Sequence, residues 1–293
     1  MGEPQPPTRG MSHANVRYLE AKRTVDDRAL SDRVRERLLA ALPAAPTVLD
    51  AGCGTGAMLQ RLHELGVTAG RYHGVDRGAG VVEFAREDRP KILRRTGATV
   101  TEIESGFAVE ELEATFETGD AFEQFSDRSG ADLFVAAAFA DLVPIGRLVD
   151  IAAQVLRPGG LAYFPITFDA GTVFIPDHPV DEAVEQAYHQ AIDTNPGRDV
   201  RAGRRLTAML QAREGDLVAM DASDWVVRPM ENGYPTDEAA FLDTILRFVE
   251  DALADEGIEG FEDWLATRRG QLAASQLTYV AHQYDLLYRT PEP

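Results

Sequence analysis

Apolar residues along the chain follow two different periods. Residues 15–24 and 27–42 repeat them every three to four positions. Val34, Leu38 and Leu42 fall on one stripe and Pro43 acts as a stop, which predicts two N-terminal helices. From Thr47 onward, short apolar runs alternate with helical stretches. Strands are predicted near 47–51, 71–76, 114–119, 131–138 and 160–168, with helices near 56–66, 79–95, 122–128 and 145–156. Such alternation predicts an α/β architecture, a doubly wound and mostly parallel sheet with helices on both faces. Past Phe168 the pattern turns helical at 181–192 and 201–213, broken at Asn195-Pro196-Gly197. A strand at 217–227, an amphipathic helix at 236–254 capped by Thr236, and a terminal strand at 276–288 complete the prediction.

Composition narrows the setting. With 293 residues and 44% hydrophobic content, the chain is long enough to bury one large core carrying additions. The expected organisation is a leader at 1–12, a helical cap at 13–46, and a core at 47–290 with helical insertions near 169–215 and 229–272. Residues 1–10 carry three prolines and no apolar block, so they read as a disordered leader and not as a secretory signal. Formal net charge is −19, and Lys22 and Lys91 are the only lysines. Such a surface repels phosphate backbones, which argues against a nucleic-acid partner. An acidic, lysine-poor composition fits either a salt-loving source or an acidic protein from a GC-rich genome. No apolar stretch reaches the ~20 residues that span a bilayer. His and Cys are few and scattered, and the acids show no ligand spacing, so no metal site is expected.

Chemistry concentrates at Val48-Leu49-Asp50-Ala51-Gly52-Cys53-Gly54-Thr55-Gly56, an apolar strand ending on an acid and breaking into alternating glycines before a helix. Glycine lets such a loop turn sharply and lets a ligand lie against main-chain N–H groups. Read as G-x-G-x-x-G from Gly52, the sixth position is Ala57, which a dinucleotide loop tolerates. Two cofactor classes therefore stay open at this point. Arg71 to Asp76 is a second strand ending in an acid, about 20 residues on, where a carboxylate accepts from ribose hydroxyls; Arg77 follows it. Lone Cys53 reads as small-residue packing within the loop, since no paired base is visible.

D-x-G-x-G-x-G here resembles motif I of the class I, Rossmann-like S-adenosylmethionine (SAM)-dependent methyltransferases. Three further segments, in order, match that family. They are Asp76 closing the second strand, Gly119-Asp120-Ala121-Phe122, and Arg157-Pro158-Gly159-Gly160 leading into Leu161 to Phe164. A nicotinamide-dependent oxidoreductase accounts for the glycine loop and Asp76 but has no need of the 119–122 segment. The resemblance covers roughly 47–168 and implies a seven-stranded sheet whose last strand, 276–288, inserts antiparallel beside 217–227. It implies SAM as cofactor, S-adenosyl-L-homocysteine (SAH) as product, and a cytoplasmic enzyme. Cofactor contacts implied are Asp50, Ala51, Gly52, Cys53, Gly54, Gly56, Asp76, Arg77, Ala121 and Ala138, with Asp120 accepting from the adenine amino group and Phe122 covering the ring.

Other residues are read from position. Tyr18, Lys22 and Arg23 lie on neighbouring faces of the first helix, either as a lid that closes over the cofactor or as a solvated basic face. Asp141 follows the fourth strand and either orients a methyl acceptor or partners a helix N-terminus near Pro144. His178 and His189 are candidate bases or solvated helical histidines, and His282 reads as a sheet histidine. Trp225 is either an aromatic wall for substrate or a core residue. The amino-methylator signature of base-modifying enzymes is missing after strand four, where Ala138-Phe139-Ala140-Asp141 stands. A small-molecule methyl acceptor is expected, handled by a monomer or homodimer. A SAM-binding partner protein that lost transfer activity is the non-enzymatic alternative.

Overall fold

The computed structural model describes residues 15–292, so the leader at 1–12 lies outside the described residues. Two helices open the chain, α1 (Val16–Ala29) and α2 (Asp32–Ala41). They part at Leu30, later than the predicted gap, because Asn15 caps α1 and Ser31 caps α2 through its side chain. The central unit then runs β1 (Thr47–Ala51), α3 (Ala57–Glu64), β2 (Ala69–Asp76), α4 (Ala79–Glu87) and α5 (Arg89–Arg95). Pro90 at the start of α5 divides the single helix expected at 79–95.

Next come β3 (Val100–Ile103), β4 (Gly106–Val109), β5 (Glu111–Thr118), α6 (Ala121–Gln124), β6 (Ala131–Val135) and α7 (Ile145–Val155). The 20-residue β7 (Leu156–Ile175) follows, then α8 (Asp181–Thr194), α9 (Ala202–Gln211), β8 (Asp216–Ala222), β9 (Trp225–Val227), α10 (Glu238–Leu253), α11 (Phe261–Ala273) and β10 (Thr278–Arg289).

Strand order is β3-β4-β5-β2-β1-β6-β7-β10-β8, with β9 also paired to β10. The five strands from β5 to β7 are parallel, and β10 inserts antiparallel between β7 and β8. The mostly parallel α/β sheet is as expected, but it holds ten strands and not seven. The additions are the β3–β4 hairpin on the β5 edge and the short β9, split from β8 at Ser223-Asp224. Two further departures are local. The Arg157 to Gly160 turn lies inside β7 as an irregularity in its pairing with β6, and α10 begins after Asp237 without a side-chain cap from Thr236.

Side chains alternate across the sheet as pleating requires. Leu49, Val75 and Phe164 face a core closed by α7 and α9, while Val48, Tyr72 and Tyr163 face one closed by α2, α3, α4 and α5. A third core forms where the ends of β7 and β10 run past the parallel strands. There Phe174 and Tyr279 pack with α1, α8, α10 and α11 through Tyr18, Val184, Phe241 and Trp264. The helices of this third core stand over the carboxyl ends of the parallel strands. No helix among the described residues is long and apolar enough to cross a membrane.

Candidate functional site

At the carboxyl end of β1, Gly52, Gly54 and Gly56 take φ of 74°, 51° and 76°, a region L side chains rarely enter. Gly52 N and Cys53 N both donate to Val75 O, at 2.8 and 3.1 Å, which stitches the loop to β2. Asp76 completes the tie. Its Oδ2 accepts from Gly54 N at 3.0 Å and its Oδ1 from Gly78 N at 2.8 Å. A Cβ on Gly52 would lie 2.3 Å from the Phe139 ring, so the side chain is excluded by a close approach as well as by φ.

A cavity of about 1020 Å³ opens over this loop, at the upper end of the range for small-molecule sites. Ten of the sequence-identified residues line it together: Tyr18, Asp50, Gly52, Cys53, Gly54, Asp76, Arg77, Asp120, Ala121 and Phe122. Ala138 and Asp141 join them from the segment after β6. Six others do not line it. Ala51 points into the core under α7, and Gly56 packs near Phe116. Arg23 pairs with Glu20 and Asp27 along α1. His178 Nδ1 accepts from Val180 N, and its Nε2 lies 3.5 Å from Asp263. His189 Nε2 sits 3.0 Å from Thr172 Oγ1, with burial lowering its pKa. His282 contacts Asp224 at 2.8 Å, a sheet histidine held by its neighbour.

Electrostatics differ sharply among the lining acids. Asp50 is 1% exposed. Tyr72 donates its hydroxyl to Oδ2, while Oδ1 has no partner among the described residues. Burial raises this carboxyl to about 7 against the opposing pull of the Tyr72 hydrogen bond. Asp120 caps α6 by accepting from Phe122 N at 2.8 Å and pairs with Arg77. Burial pulls its pKa up, but these partners outweigh it and hold the carboxyl below its usual range. Phe122 is backed by the Arg147 guanidinium, 4.7 Å from the ring centre. Burial drives the Cys53 thiol upward, which makes it a poor nucleophile.

Helix α1 supplies one wall. Tyr18 stacks on Phe241 and meets Phe248 edge-on. Asp26 accepts from Trp225 Nε1 at 2.9 Å and pairs with Lys22 at 3.1 Å and Arg61 at 3.4 Å. Lys22 also lies 5.1 Å from the Trp225 ring centre. Sequence reading singled out Lys22 and Trp225 but not Asp26 or Arg61, because α1 and α3 meet only in the fold. The 22/26 spacing on one helix was the available signal. Across the cavity, burial raises the Asp141 carboxyl while Arg198 and Lys22 pull it back. Among the described residues no group of three or more His, Cys, Asp or Glu is placed to hold a metal ion.

Residues 44–164 match a family model described as a methyltransferase domain. No curated protein matches the chain in sequence. Among solved structures, a SAM-dependent methyltransferase from Thiobacillus denitrificans, in complex with SAH, superposes with a TM-score of 0.51 at 18% identity. That match covers 95% of this chain and 98% of the other. A SAM-dependent methyltransferase from Geobacter sulfurreducens, also in complex with SAH, gives 0.50 at 19% identity, covering 94% and 98%. The sheet order departs from the all-parallel 3-2-1-4-5-6 order of dinucleotide-binding folds through its antiparallel β10. With its glycine loop, strand order and domain match in agreement, residues 44–164 form a methyltransferase domain and the chain has the class I, Rossmann-like methyltransferase fold.

Proposed function

We propose that the protein transfers a methyl group from SAM to a small-molecule acceptor. The observation that carries this is the convergence on one cavity of the Asp76-tied glycine loop, the Asp120-Ala121-Phe122 segment and the buried Oδ1 of Asp50, which has no partner among the described residues. These groups fit SAM. Asp50 Oδ1 is a buried acceptor awaiting a donor such as the methionyl ammonium. Asp76 would accept from the ribose hydroxyls, Asp120 would accept from the adenine amino group, and Phe122 would cover the ring. When bound, SAM supplies an electrophilic methyl carbon on a sulfonium.

The remaining residues prepare the acceptor side. Tyr18, Trp225 and Phe248 give the cavity an aromatic wall, and holding the acceptor in line accounts for much of the rate that ordering can give. Asp141 is the group we assign to receive a proton from an acceptor hydroxyl, since it lines the cavity beside Ala138 and Phe139. A surface of net charge −19 favours a free small molecule over a nucleic acid.

The test is SAH release from SAM with a panel of phenols, catechols and hydroxyketones. Acceptor-dependent release is expected, reduced about 10²- to 10⁴-fold in Asp141→Asn with SAH affinity retained. Full turnover in that variant would remove Asp141 from the role. SAH binding without release from any acceptor would favour a SAM-binding partner protein.

A further inference from the structure

Resting on the methyltransferase reading, we infer that the β10 wall of the cavity selects a neutral, flat acceptor by a carbonyl oxygen received at Gln283. Tyr279, Ala281 and Gln283 share one face of β10 and all line the cavity. Gln283 is 2% exposed, and its main chain is fully engaged. Its N–H donates to Asp224 Oδ1 at 3.1 Å and its carbonyl accepts from Ser223 N at 2.8 Å. The side-chain Nε2 has no partner among the described residues. A buried amide nitrogen is a donor only, so what satisfies it must be an acceptor atom.

The surroundings choose among acceptor atoms. Tyr188 lines the same cavity as Tyr279, and burial pushes its phenol up to about 12, so it too presents an O–H donor at neutral pH. A carboxylate is disfavoured because the nearby cations are already matched: Lys22 and Arg61 pair with Asp26, and Arg198 acts on Asp141. Asp251 and Glu256 add negative charge to the lining. A neutral carbonyl accepts the hydrogen bond without meeting that field. The walls between these polar points are apolar, with Ile166, Phe168 and Ile245 on the lining, which suits a planar aromatic or conjugated body.

The test uses three probes titrated by calorimetry into the SAH-saturated protein: 4-hydroxyacetophenone, 4-ethylphenol and 4-hydroxybenzoate. The ketone should bind about tenfold more tightly than either of the others. Gln283→Leu should lower ketone affinity about tenfold while leaving 4-ethylphenol and SAH affinity unchanged. Because the substitution removes an unmet donor, its Tm should equal or exceed that of the wild type. Equal binding of ketone and ethylphenol, tighter binding of the benzoate, no measurable ketone binding, or an unaltered ketone affinity in Gln283→Leu would each overturn the inference. The wild-type probe ranking decides the matter even if the variant fails to fold. Failure of SAH itself to bind would instead defeat the methyltransferase reading.

Discussion

Asp50 stands out among the cavity residues because its position in the sequence and its environment in the fold point the same way. As an acid at the end of β1 it marks the ligand-binding edge. It is buried, Oδ1 has no partner among the described residues, and burial raises the carboxyl to about 7. A carboxyl raised in the folded state binds a proton that the unfolded chain has already released. The free protein therefore loses stability as pH rises from the ordinary carboxylate range through about 7. An ammonium partner favours the ionised form, so SAH affinity should strengthen between about pH 5.5 and about pH 8 and then level off. Asp50→Asn should flatten that profile. An identical pH dependence in the variant would show that Asp50 is not the titrating group. The glycines and the acids at 50, 76 and 120 were legible because loop chemistry restricts which residues fit. Asp26, Arg61 and Gln283 were not, since their roles arise only where α1, α3 and β10 converge.

Elements were legible where period and punctuation agreed. Apart from β7, which runs seven residues past its expected end, the parallel strands, α7 and the antiparallel terminal strand fell within a few residues of expectation. The β3–β4 hairpin was missed because its strands are four residues each and show no clean alternation: β3 places Thr101 and Glu102 side by side and β4 runs Phe107-Ala108-Val109 without a polar residue. Helix α11 was missed because its buried positions, Trp264, Leu265 and Arg268, include a charged residue whose terminal nitrogens donate to Asp181 and the Pro176 carbonyl. At this scale the junction between α1 and α10 is decisive. Glu238, fully buried on α10, accepts from Thr24 at 3.1 Å and from both terminal nitrogens of Arg28. Arg28 is half exposed, so breaking the pair should cost on the order of 1–2 kcal/mol, below the range for deeply buried pairs. Arg28→Ala should speed hydrogen exchange across 16–29 and weaken SAH binding several-fold, with β1 exchange unchanged. Unaltered protection of 16–29 would show that α1 is held by its aromatic contacts alone.

The whole molecule joins a parallel α/β unit to an antiparallel extension, because β7 and β10 continue past the other strands and carry a helical wall over the cofactor loop. Sequence periodicity showed helices in these regions but not that two long strands would support them, since each strand reads locally like any other. Charge acts at the same scale. With −19 on 293 residues, self-repulsion opposes compaction, and screening shortens its reach to about 3 Å at 1 M salt. Tm should therefore climb as KCl is raised from low millimolar to about 1 M. A Tm that falls or stays level would show that the acids are locally compensated, as the ion pairs of α1 already are. One calorimetric comparison bears most directly on the cavity's identity as a methyl-donor site: SAH and NADH titrated separately into the purified protein. SAH should bind one molecule per chain with NADH giving no heat above dilution, whereas NADH binding without SAH binding would contradict the assignment of the glycine loop, Asp76 and Asp120 to SAM.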